Sequence, residues 1–492
     1  MSIDQGTTGT TVLILDQTAR VLGKATCDFE QIFPRPGWVE HRTEDIWKSV
    51  QSAIELALNQ ASIEPTRLAA IGITNQRETV AVWDRKTGQP LHHAIVWQCR
   101  RTTSFCEKLK KKNFSPLIRK KTGLVIDPYF SASKMNWLLA HVPGLKEKAK
   151  KGEALFGTIE TYLIWRITGG LSHKTDISNA SRTMLLDIRT GQWDDELLEL
   201  FGVPRACLPA VEGNCADFGR TSGLGLLPDG IPIRGVAGDQ QAALFGQACF
   251  YSGEAKCTFG TGSFLLLNTG AQLKYSKSGL VTTVAWQLPE QKIHYALEGS
   301  SFICGAAVQW LRDALGLIKT SDEIENLAAE VTDNGGVHFV PALTGMGAPY
   351  WWPEARGVIC GLTRGSTKAH LARATLEAMA LQNVDVLLAM ERDLGKKLRS
   401  LKVDGGATVN NLLMQLQADL LGLAVDRPKN VETTSLGAAF LAGLGVGLWR
   451  DLDQLRHIWQ LDRQFKVEIA GKERSRRLND WHQAVNKVRD GS

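Results

Sequence analysis

Two short stretches rich in glycine and threonine each lead directly into an apolar segment, and this pairing constrains the fold more than any other feature. The first is "DQGTTGTTVLILD" (4–16) and the second is "KCTFGTGSFLLLN" (256–268). Glycine and threonine favour a turn, and the apolar residues that follow are typical of a buried strand. The chain has 492 residues, which is too many for one ordinary core. The repeated order of parts therefore predicts two similar α/β domains that face each other.

The two turns are also candidate phosphate-binding loops. Glycines let the backbone approach an anion closely, and successive N–H groups together with threonine hydroxyls can surround phosphate oxygens. Each stretch alone is also compatible with a plain β-turn, because short Gly/Thr motifs recur by chance. Two of them, one in each half of the chain, would supply donors to a polyphosphate from both sides of a cleft.

A third glycine stretch, "VDGGATVNN" (403–411), follows an apolar strand and precedes an amphipathic helix. This order predicts backbone N–H groups at the positive end of a helix, where anions bind. The double glycine also leaves room for a flat base against the backbone. The alternative is a simple strand-to-helix turn in which Asp404 caps the helix.

The segment "AGDQQAAL" (237–244) carries the candidate for acid–base chemistry. Asp239 begins a predicted helix after an apolar strand, and the helix dipole favours the ionised carboxylate that a general base needs. Asp239 could also serve only as a helix cap, and the two roles are compatible.

Polar and aromatic residues elsewhere are candidates for contacts with a small polyol. In "TNQRET" (74–79), Arg77 and Glu78 offer fixed donors and acceptors, although a bare Arg-Glu dipeptide is more often a surface ion pair. Trp97 and Tyr129 stand next to polar residues, a pattern that is more frequent in cores and interfaces than in binding sites. Taken alone, these residues leave both interpretations open.

Composition excludes several classes of function. The net charge of +6 is mild, and the basic tract "KLKKK" (108–112) is typical of a solvated helix face, so no nucleic-acid partner is expected. The nine cysteines form no C-x-x-C pair, which argues against zinc and predicts a reduced, cytoplasmic protein. The apolar stretch "LGAAFLAGLGVGLW" (436–449) is shorter than a membrane span, so it predicts a buried helix and no membrane insertion. No P-loop, H-E-x-x-H or G-x-S-x-G motif supports a different chemistry.

Several stretches in one fixed order resemble the FGGY carbohydrate kinases, and within them most closely the members that act on glycerol. They are "DQGTT" (4–8), "GWVEH" (37–41), "GITNQRETVAVWD" (72–84), "AIVWQCRRT" (94–102), "KTGL" (121–124), "YFSASKMNWLL" (129–139), "NASRTML" (179–185), "GDQQAALFGQ" (238–247), "FGTGSF" (259–264), "GAPYW" (347–351), "ARGVICGLTRGS" (355–366) and "DGGATVNNLLMQ" (404–415). The resemblance covers nearly the whole chain, and jointly these motifs are highly specific.

The resemblance implies an actin-like α/β fold, in which two ribonuclease-H-like domains, 1–245 and 246–492, enclose ATP and substrate in a cleft. It implies ATP-dependent phosphorylation of glycerol to sn-glycerol 3-phosphate in glycerol catabolism, with Mg²⁺ as the metal. It also implies a cytoplasmic homo-oligomer, either a dimer or a tetramer.

Site residues carry over from the resemblance position by position. Six residues would bind glycerol: Arg77, Glu78, Trp97, Tyr129, Asp239 and Gln240. Eight residues would contact the nucleotide: Thr7, Thr8, Gly9, Thr261, Gly305, Gln309, Gly406 and Asn410. Asp239 would take the proton from the attacking hydroxyl, and Asp4 and Asp239 would lie at the Mg²⁺ ion, with Asp4 reaching it through water.

Some positions depart from the family pattern. The chain starts three residues before Asp4, which predicts either an upstream start or a short first strand that supports the loop less rigidly. Glu160 and Tyr162 stand where Asp and Trp are more usual. The loop "LPDGIPI" (227–233) lacks the Gly-Gly-Thr-Arg pattern of members that bind fructose 1,6-bisphosphate, so no such effector is expected. Two other functions remain open at this stage: a kinase for a pentulose or another polyol, and a non-catalytic nucleotide-binding sensor or scaffold.

Overall fold

The first half of the chain contains both strands and helices. The computed structural model describes residues 1–352 and 354–490. The strands up to residue 246 are β1 (Ser2–Gln5), β2 (Gly9–Leu15), β3 (Val21–Asp28), β4 (Glu40–His41), β5 (Ile71–Asn75), β6 (Val80–Asp84), β7 (Pro90–Ile95), β8 (Ala154–Gly157), β9 (Lys174–Asp176), β10 (Leu186–Asp187), β11 (Gln192–Trp193), β12 (Ala210–Glu212) and β13 (Ile233–Gly238). The helices are α1 (Thr43–Ala61), α2 (Thr103–Lys111), α3 (Ser115–Thr122), α4 (Ser131–His141), α5 (Leu145–Lys150), α6 (Ile159–Ile167), α7 (Ile177–Ala180), α8 (Asp195–Phe201) and α9 (Asp239–Gly246).

The second half continues the same numbering. Its strands are β14 (Glu254–Phe259), β15 (Ser263–Gly270), β16 (Val281–Trp286), β17 (His294–Ser301), β18 (His338–Val340), β19 (Val358–Cys360), β20 (Ser400–Asp404), β21 (Val425–Pro428) and β22 (Leu461–Phe465). Its helices are α10 (Gly305–Asp313), α11 (Glu323–Ala329), α12 (Lys368–Leu394), α13 (Asn411–Leu421), α14 (Thr433–Gly445), α15 (Leu452–Ile458) and α16 (Gly471–Asp490).

The two main sheets repeat one topology. The first has the order β3-β2-β1-β5-β13, in which the first two pairings are antiparallel and the last two are parallel. The second contains β17-β15-β14-β20-β21 with the same sequence of directions, extended at its edges by β16 and β22. The prediction of two similar α/β halves is therefore confirmed. Each Gly/Thr loop occupies the same place in its half, because residues 6–8 join β1 to β2 and residues 260–262 join β14 to β15.

The first strand is short but paired on both sides. β1 lies between β2, with Asp4 opposite Thr11, and β5, with Asp4 beside Thr74. Ile3 on the same strand is fully buried in the core beneath this sheet. A four-residue strand in the middle of a sheet receives ladder hydrogen bonds from both neighbours. The loop that follows β1 therefore has the support of a central strand.

Helix α14 belongs to the second half by sequence but packs on the first. It lies against β1, β5 and β13 and alongside α9. The prediction of a buried helix is confirmed over Thr433–Gly445, and the chain leaves the helix after Gly445. Within residues 1–352 and 354–490, no helix has both the length and the apolar character needed to cross a bilayer.

Replacing Gly437 with alanine should destabilise this contact between α14 and α9. A Cβ built on Gly437 would lie 1.8 Å from the carbonyl oxygen of Ala242, which is backbone and cannot turn aside. Overpacking of this kind costs about 1–3 kcal/mol of unfolding free energy, and sometimes more. The measurement is the urea midpoint of the variant against the wild type. Gly471→Ala is the matched control, because no described heavy atom lies within 4 Å of a Cβ at Gly471; equal midpoints for both variants would contradict this packing.

Candidate active site

The first Gly/Thr loop is a tight hairpin that presents Thr8. The Gly6 N–H donates to the carbonyl of Gly9 (2.9 Å), and the Phe29 N–H donates to the carbonyl of Thr8 (3.1 Å). Thr8 is exposed at the tip of the loop, whereas Thr7 and Gly9 are half-buried. The backbone is thus fixed from behind, and the hydroxyl of Thr8 is left for a ligand.

The second loop is locked to the start of α10. The carbonyl of Gly260 accepts from the Gly305 N–H (2.9 Å), and the carbonyl of Thr261 accepts from the Ala306 N–H (3.0 Å). A Cβ on Gly305 would lie 2.7 Å from the carbonyl oxygen of Gly260, so only glycine permits this approach. Gln309 lies one turn further along α10 and is exposed. Three of the predicted nucleotide residues, Thr261, Gly305 and Gln309, therefore lie close together.

The third glycine stretch does not run straight into a helix, which corrects the prediction. A 3₁₀ turn (Gly406–Val409) separates β20 from α13, and Asn410 Oδ1 caps α13 by accepting from the Leu413 N–H (2.8 Å). Gly405 has a φ of +91°, and a Cβ there would lie 2.5 Å from the carbonyl oxygen of Phe259. The turn thus lies against the end of β14, next to the second loop. Asn410 keeps only its amide nitrogen for a nucleotide.

Asp404 is not the helix cap that the alternative interpretation required. Its Oδ2 accepts from Gln247 Nε2 (2.8 Å) and from Thr433 Oγ1 (2.7 Å). Asp404 is buried, so these bonds satisfy a carboxylate that has little access to water. They join β20 to the start of α14 rather than to α13.

Asp239 lies where β13 ends and α9 begins. Its Oδ1 accepts from the N–H of Gln240 (2.6 Å) and lies 3.1 Å from Nε of Arg77. The side chain is 31% exposed. No residue in the described ranges, 1–352 and 354–490, donates a hydrogen bond to Oδ2. One carboxylate oxygen is therefore fixed by the chain, and the other is left to accept a proton.

Arg77 and Glu78 are buried, so the surface ion-pair interpretation is wrong. Their side chains are 2% and 1% exposed. Arg77 forms a two-pronged pair with Glu298, from Nη1 to Oε2 (2.6 Å) and from Nη2 to Oε1 (2.9 Å). Glu78 accepts from Nε of Arg182 (2.6 Å) and has a φ of +62°, a backbone conformation that is uncommon for glutamate. The two side chains are fixed in different directions by different partners.

Two charged members of this site, Arg182 and Glu298, were missing from the predicted site residues. Arg182 Nη2 donates to Glu298 Oε1 (2.9 Å), and both side chains are almost fully buried. Burial raises the pKa of Glu298, but the charges of Arg182 and Arg77 outweigh this and hold that pKa at about 2. Burial also raises the pKa of Glu78, and the two arginines only partly oppose the effect. The sequence signal for Glu298 is a single acidic residue inside the apolar strand "HYALEGSS" (294–301).

Trp97 and Tyr129 form an aromatic wall. Their rings meet edge to face with centroids 5.5 Å apart. Trp97 Nε1 donates to Thr7 Oγ1 (3.0 Å), which joins this wall to the first Gly/Thr loop. The buried Lys134 ammonium donates to the carbonyl of Tyr129 (2.6 Å) and holds the backbone in place. The aromatic pair is thus part of the site as well as part of the core.

Gln240 is largely occupied by a buried lysine. Its Oε1 accepts from Nζ of Lys256, which also donates to Thr258 Oγ1 (2.8 Å). Burial lowers the pKa of Lys256, and nearby acidic groups, Asp404 first among them, oppose that shift. Gln240 therefore has only its Nε2 available for a substrate.

Asp4 provides a second carboxylate near Asp239. Its Oδ2 accepts a long hydrogen bond from Ser435 Oγ (3.4 Å). Burial raises the pKa of Asp4 to about 8, with further contributions from the charges of Asp239 and Glu432. No group of three or more His, Cys, Asp or Glu side chains in the described part of the chain forms a metal-binding cluster. The carboxyl oxygens of Asp4 and Asp239 are of the ligand type that suits a hard divalent cation whose other ligands are phosphate oxygens and water.

The chain matches two family models in succession. Residues 1–246 match the N-terminal domain of the FGGY family of carbohydrate kinases, and residues 255–446 match its C-terminal domain. A curated relative named glycerol kinase, from Bdellovibrio bacteriovorus, is 61% identical over 488 residues, which is 99% of each chain. A second curated relative, named glycerol kinase and from Myxococcus xanthus, is 54% identical over 99% of each chain.

Solved structures agree with the sequence relatives. The crystal structure titled Plasmodium falciparum glycerol kinase with ADP superposes with a TM-score of 0.94 at 38% identity, covering 99% of this chain and 97% of that one. A gluconate kinase from Lactobacillus acidophilus is 24% identical with a TM-score of 0.88, which indicates a shared fold alone. The predicted actin-like α/β fold is confirmed. With both domain models matched in order and relatives above 50% identity along its length, the chain belongs to the FGGY family of carbohydrate kinases.

Proposed function

We propose that this chain transfers the γ-phosphoryl group of ATP to glycerol and releases ADP and sn-glycerol 3-phosphate. Its full-length relatives are named glycerol kinase, and the ADP-containing neighbour carries the same name. The observation in the site that carries the proposal is the state of Asp239. Its Oδ1 is held by Gln240 and Arg77, while no residue in the described ranges donates a hydrogen bond to its Oδ2.

The polyol half of the site suits glycerol. Glu78 and Asp239 supply acceptors for hydroxyl groups, and Arg77 lies between them as a fixed donor. Trp97 gives an apolar surface against which the carbon edge of a small polyol can pack. Asp239 takes the proton from the hydroxyl whose oxygen bonds to the γ-phosphorus, as the bond from that phosphorus to the bridging oxygen of ADP breaks.

The phosphate half of the site consists of the two Gly/Thr loops, residues 6–8 and 260–262. The turn at residues 405–409 lies beside the second loop. Thr7, Thr8 and Gly9 would contact the phosphates from one side and Thr261 from the other. Gly305, Gln309, Gly406 and Asn410 would contact the rest of the nucleotide. Phosphoryl transfer depends chiefly on positioning and on stabilising charge, so rigid loops on both sides suit the chemistry.

A magnesium ion would be held by Asp4 and Asp239, with Asp4 acting through water. Bound there, Mg²⁺ would neutralise phosphate charge as it develops. A cation there would oppose the burial and the negative charge of Asp239 that raise the pKa of Asp4, and would hold that carboxyl ionised.

Replacing Asp4 with asparagine should raise the Mg²⁺ concentration needed for half-maximal velocity by about 10- to 100-fold, the range typical of residues that support a metal from outside its direct ligands. The substitution removes the charge but keeps the shape of the side chain. The measurement is a Mg²⁺ titration at saturating glycerol and ATP. Asp16→Asn, in the turn after β2, is the control, and an unchanged titration for Asp4→Asn would remove this residue from the metal site.

The substrate assignment is tested by ADP release with one acceptor at a time. Purified protein should release ADP quickly with glycerol and slowly with xylulose or gluconate, because Arg77, Glu78 and Trp97 are assigned to a small polyol and larger sugars need a wider pocket. Fast turnover of another acceptor beside slow turnover of glycerol would favour the pentulose or polyol alternative. Nucleotide binding without turnover of any acceptor would favour the non-catalytic alternative.

Other expectations from the sequence remain predictions. All nine cysteines, which lie in the described ranges, carry free thiols, and this supports the proposed cytoplasmic location. The homo-oligomeric state and the domain boundary between residues 245 and 246 also stay predictions, although α9 ends at Gly246.

A further inference from the structure

Five charged side chains at the site form a continuous chain of alternating sign. In order they are Asp239, Arg77, Glu298, Arg182 and Glu78. The successive contacts are Asp239 Oδ1 to Arg77 Nε (3.1 Å), Arg77 to both oxygens of Glu298 (2.6 and 2.9 Å), Glu298 Oε1 to Arg182 Nη2 (2.9 Å), and Arg182 Nε to Glu78 Oε1 (2.6 Å). The two end carboxylates are those assigned to the glycerol hydroxyls, and the middle carboxylate is Glu298.

Glu298 comes from the opposite half of the protein. It lies on β17 in the second sheet, inside the span that matches the C-terminal family model. The other four members lie between residues 77 and 239, inside the span of the N-terminal model. β17 pairs with β15, the strand that begins directly after the second phosphate loop. Glu298 therefore connects the polyol half of the site with the sheet that carries the phosphate half.

Glu298 determines how the guanidinium groups of Arg77 and Arg182 are oriented, because a buried charge is unfavourable without a partner. Both guanidinium groups are nearly inaccessible to water, at 2% and 0% exposure, so each needs a carboxylate partner. Glu298 holds both Nη atoms of Arg77 and the Nη2 atom of Arg182. Arg77 therefore presents Nε to Asp239, and Arg182 presents Nε to Glu78. Without Glu298, Arg77 would be drawn fully onto Asp239, and Arg182 would be drawn fully onto Glu78. Asp239 and Glu78 would then be occupied by arginine and turned from the hydroxyl groups.

We propose that Glu298 is a positioning residue for phosphoryl transfer, which keeps Asp239 and Glu78 free for glycerol by holding Arg77 and Arg182 from the opposite domain. The inference rests on the proposed function of the same site. Glu298 need not touch glycerol itself, because its effect passes through the two arginines. The two-pronged geometry with Arg77 sets the plane of that guanidinium, which a single contact could not do.

The test uses Glu298→Gln, which keeps the shape of the side chain and removes its charge. The expected result is a kcat lower by about 10²-fold, the loss expected from a misplacement of about 1 Å at a reacting centre. The KM for glycerol should rise as well, whereas the Kd for ADP should stay within about threefold of wild type, since only the polyol half is displaced. Glu298→Asp keeps the charge with one methylene less and should recover part of the lost kcat.

Glu377→Gln is a matched control for the loss of a buried carboxylate between arginines. Glu377 is also buried in the second half, where it accepts from Arg373 Nε (3.2 Å) and Asn334 Nδ2 (2.9 Å) and lies 3.7 Å from Arg477 Nη1. It lies outside the chain of charges described above. Its replacement should lower the urea midpoint without changing the split between kcat and KM.

The outcomes separate this inference from the proposed function. If the wild-type chain shows no glycerol-dependent ADP release, the proposed function fails. If the wild type is active and Glu298→Gln keeps kcat and glycerol KM within about threefold of wild type, the positioning role is overturned. Loss of ADP binding in both Glu298→Gln and Glu298→Asp would also overturn it, because Glu298 would then serve the fold rather than the polyol site.

Discussion

Asp239→Asn should lower kcat by about 10²- to 10⁴-fold, the usual contribution of a general base. Asparagine keeps the size of the side chain and can still accept the Gln240 N–H through its amide oxygen, so the start of α9 should be preserved. What is lost is the oxygen that takes a proton from the glycerol hydroxyl. Binding of glycerol and ATP should survive, which makes this a loss in turnover rather than in affinity.

The measurement combines steady-state ADP release with direct titration of both ligands. Asp229→Asn is the control, because Asp229 is exposed in the loop "LPDGIPI" (227–233) and accepts only the Gly223 N–H (2.8 Å) among described residues. The control should turn over glycerol like the wild type. Near-normal kcat in Asp239→Asn would mean that another group is the base.

Arg77→Lys should be nearly as damaging, although it keeps the positive charge. Arginine at this position satisfies both oxygens of Glu298 and reaches Asp239 at the same time. A lysine ammonium is a point charge without a planar fork and cannot do both. Breaking a buried pair costs about 3–5 kcal/mol, and each 1.36 kcal/mol is about tenfold in rate, so kcat/KM for glycerol should fall by about 10²- to 10⁴-fold.

The control for this substitution is an arginine–carboxylate fork at the surface. Arg189 donates to Asp187 from Nε and Nη2, and its side chain is 43% exposed. Water can therefore replace the hydrogen bonds that are lost in Arg189→Lys. That variant should leave kcat/KM unchanged. If Arg77→Lys likewise leaves kcat/KM for glycerol unchanged, the fork geometry at Arg77 is not needed for catalysis.

The parts of the fold that follow from short stretches of sequence were predictable. Turn residues before apolar runs marked both Gly/Thr loops, and the order of parts indicated two similar halves. The apolar strand before Asp239 likewise predicted β13 and α9 at the positions where they lie. These features are local, because turn chemistry and the alternation of apolar residues act within a few residues of one another.

What could not be predicted depends on contacts between distant residues. The surface ion-pair interpretation of Arg77 and Glu78 failed because their partners, Glu298 and Arg182, are 221 and 104 residues away in sequence. The dipeptide alone gives no sign of that burial.

The departure at the third glycine stretch is of a different kind. Gly405 and Gly406 predicted a turn correctly, but the helix begins only at Asn411, after a 3₁₀ turn. The reason is that Asn410 caps the helix, while Asp404 is drawn into hydrogen bonds with α14. Which polar residue caps a helix depends on what else lies within reach, and this is fixed by packing rather than by local sequence.

The most direct test of the central claim is a competition between acceptors. The wild-type chain is incubated with ATP, Mg²⁺ and equal concentrations of glycerol, xylulose and gluconate, and the phosphorylated products are followed by phosphorus NMR. We expect sn-glycerol 3-phosphate to accumulate first and in step with ADP. Accumulation of a phosphorylated pentulose or of phosphogluconate ahead of it would contradict the account.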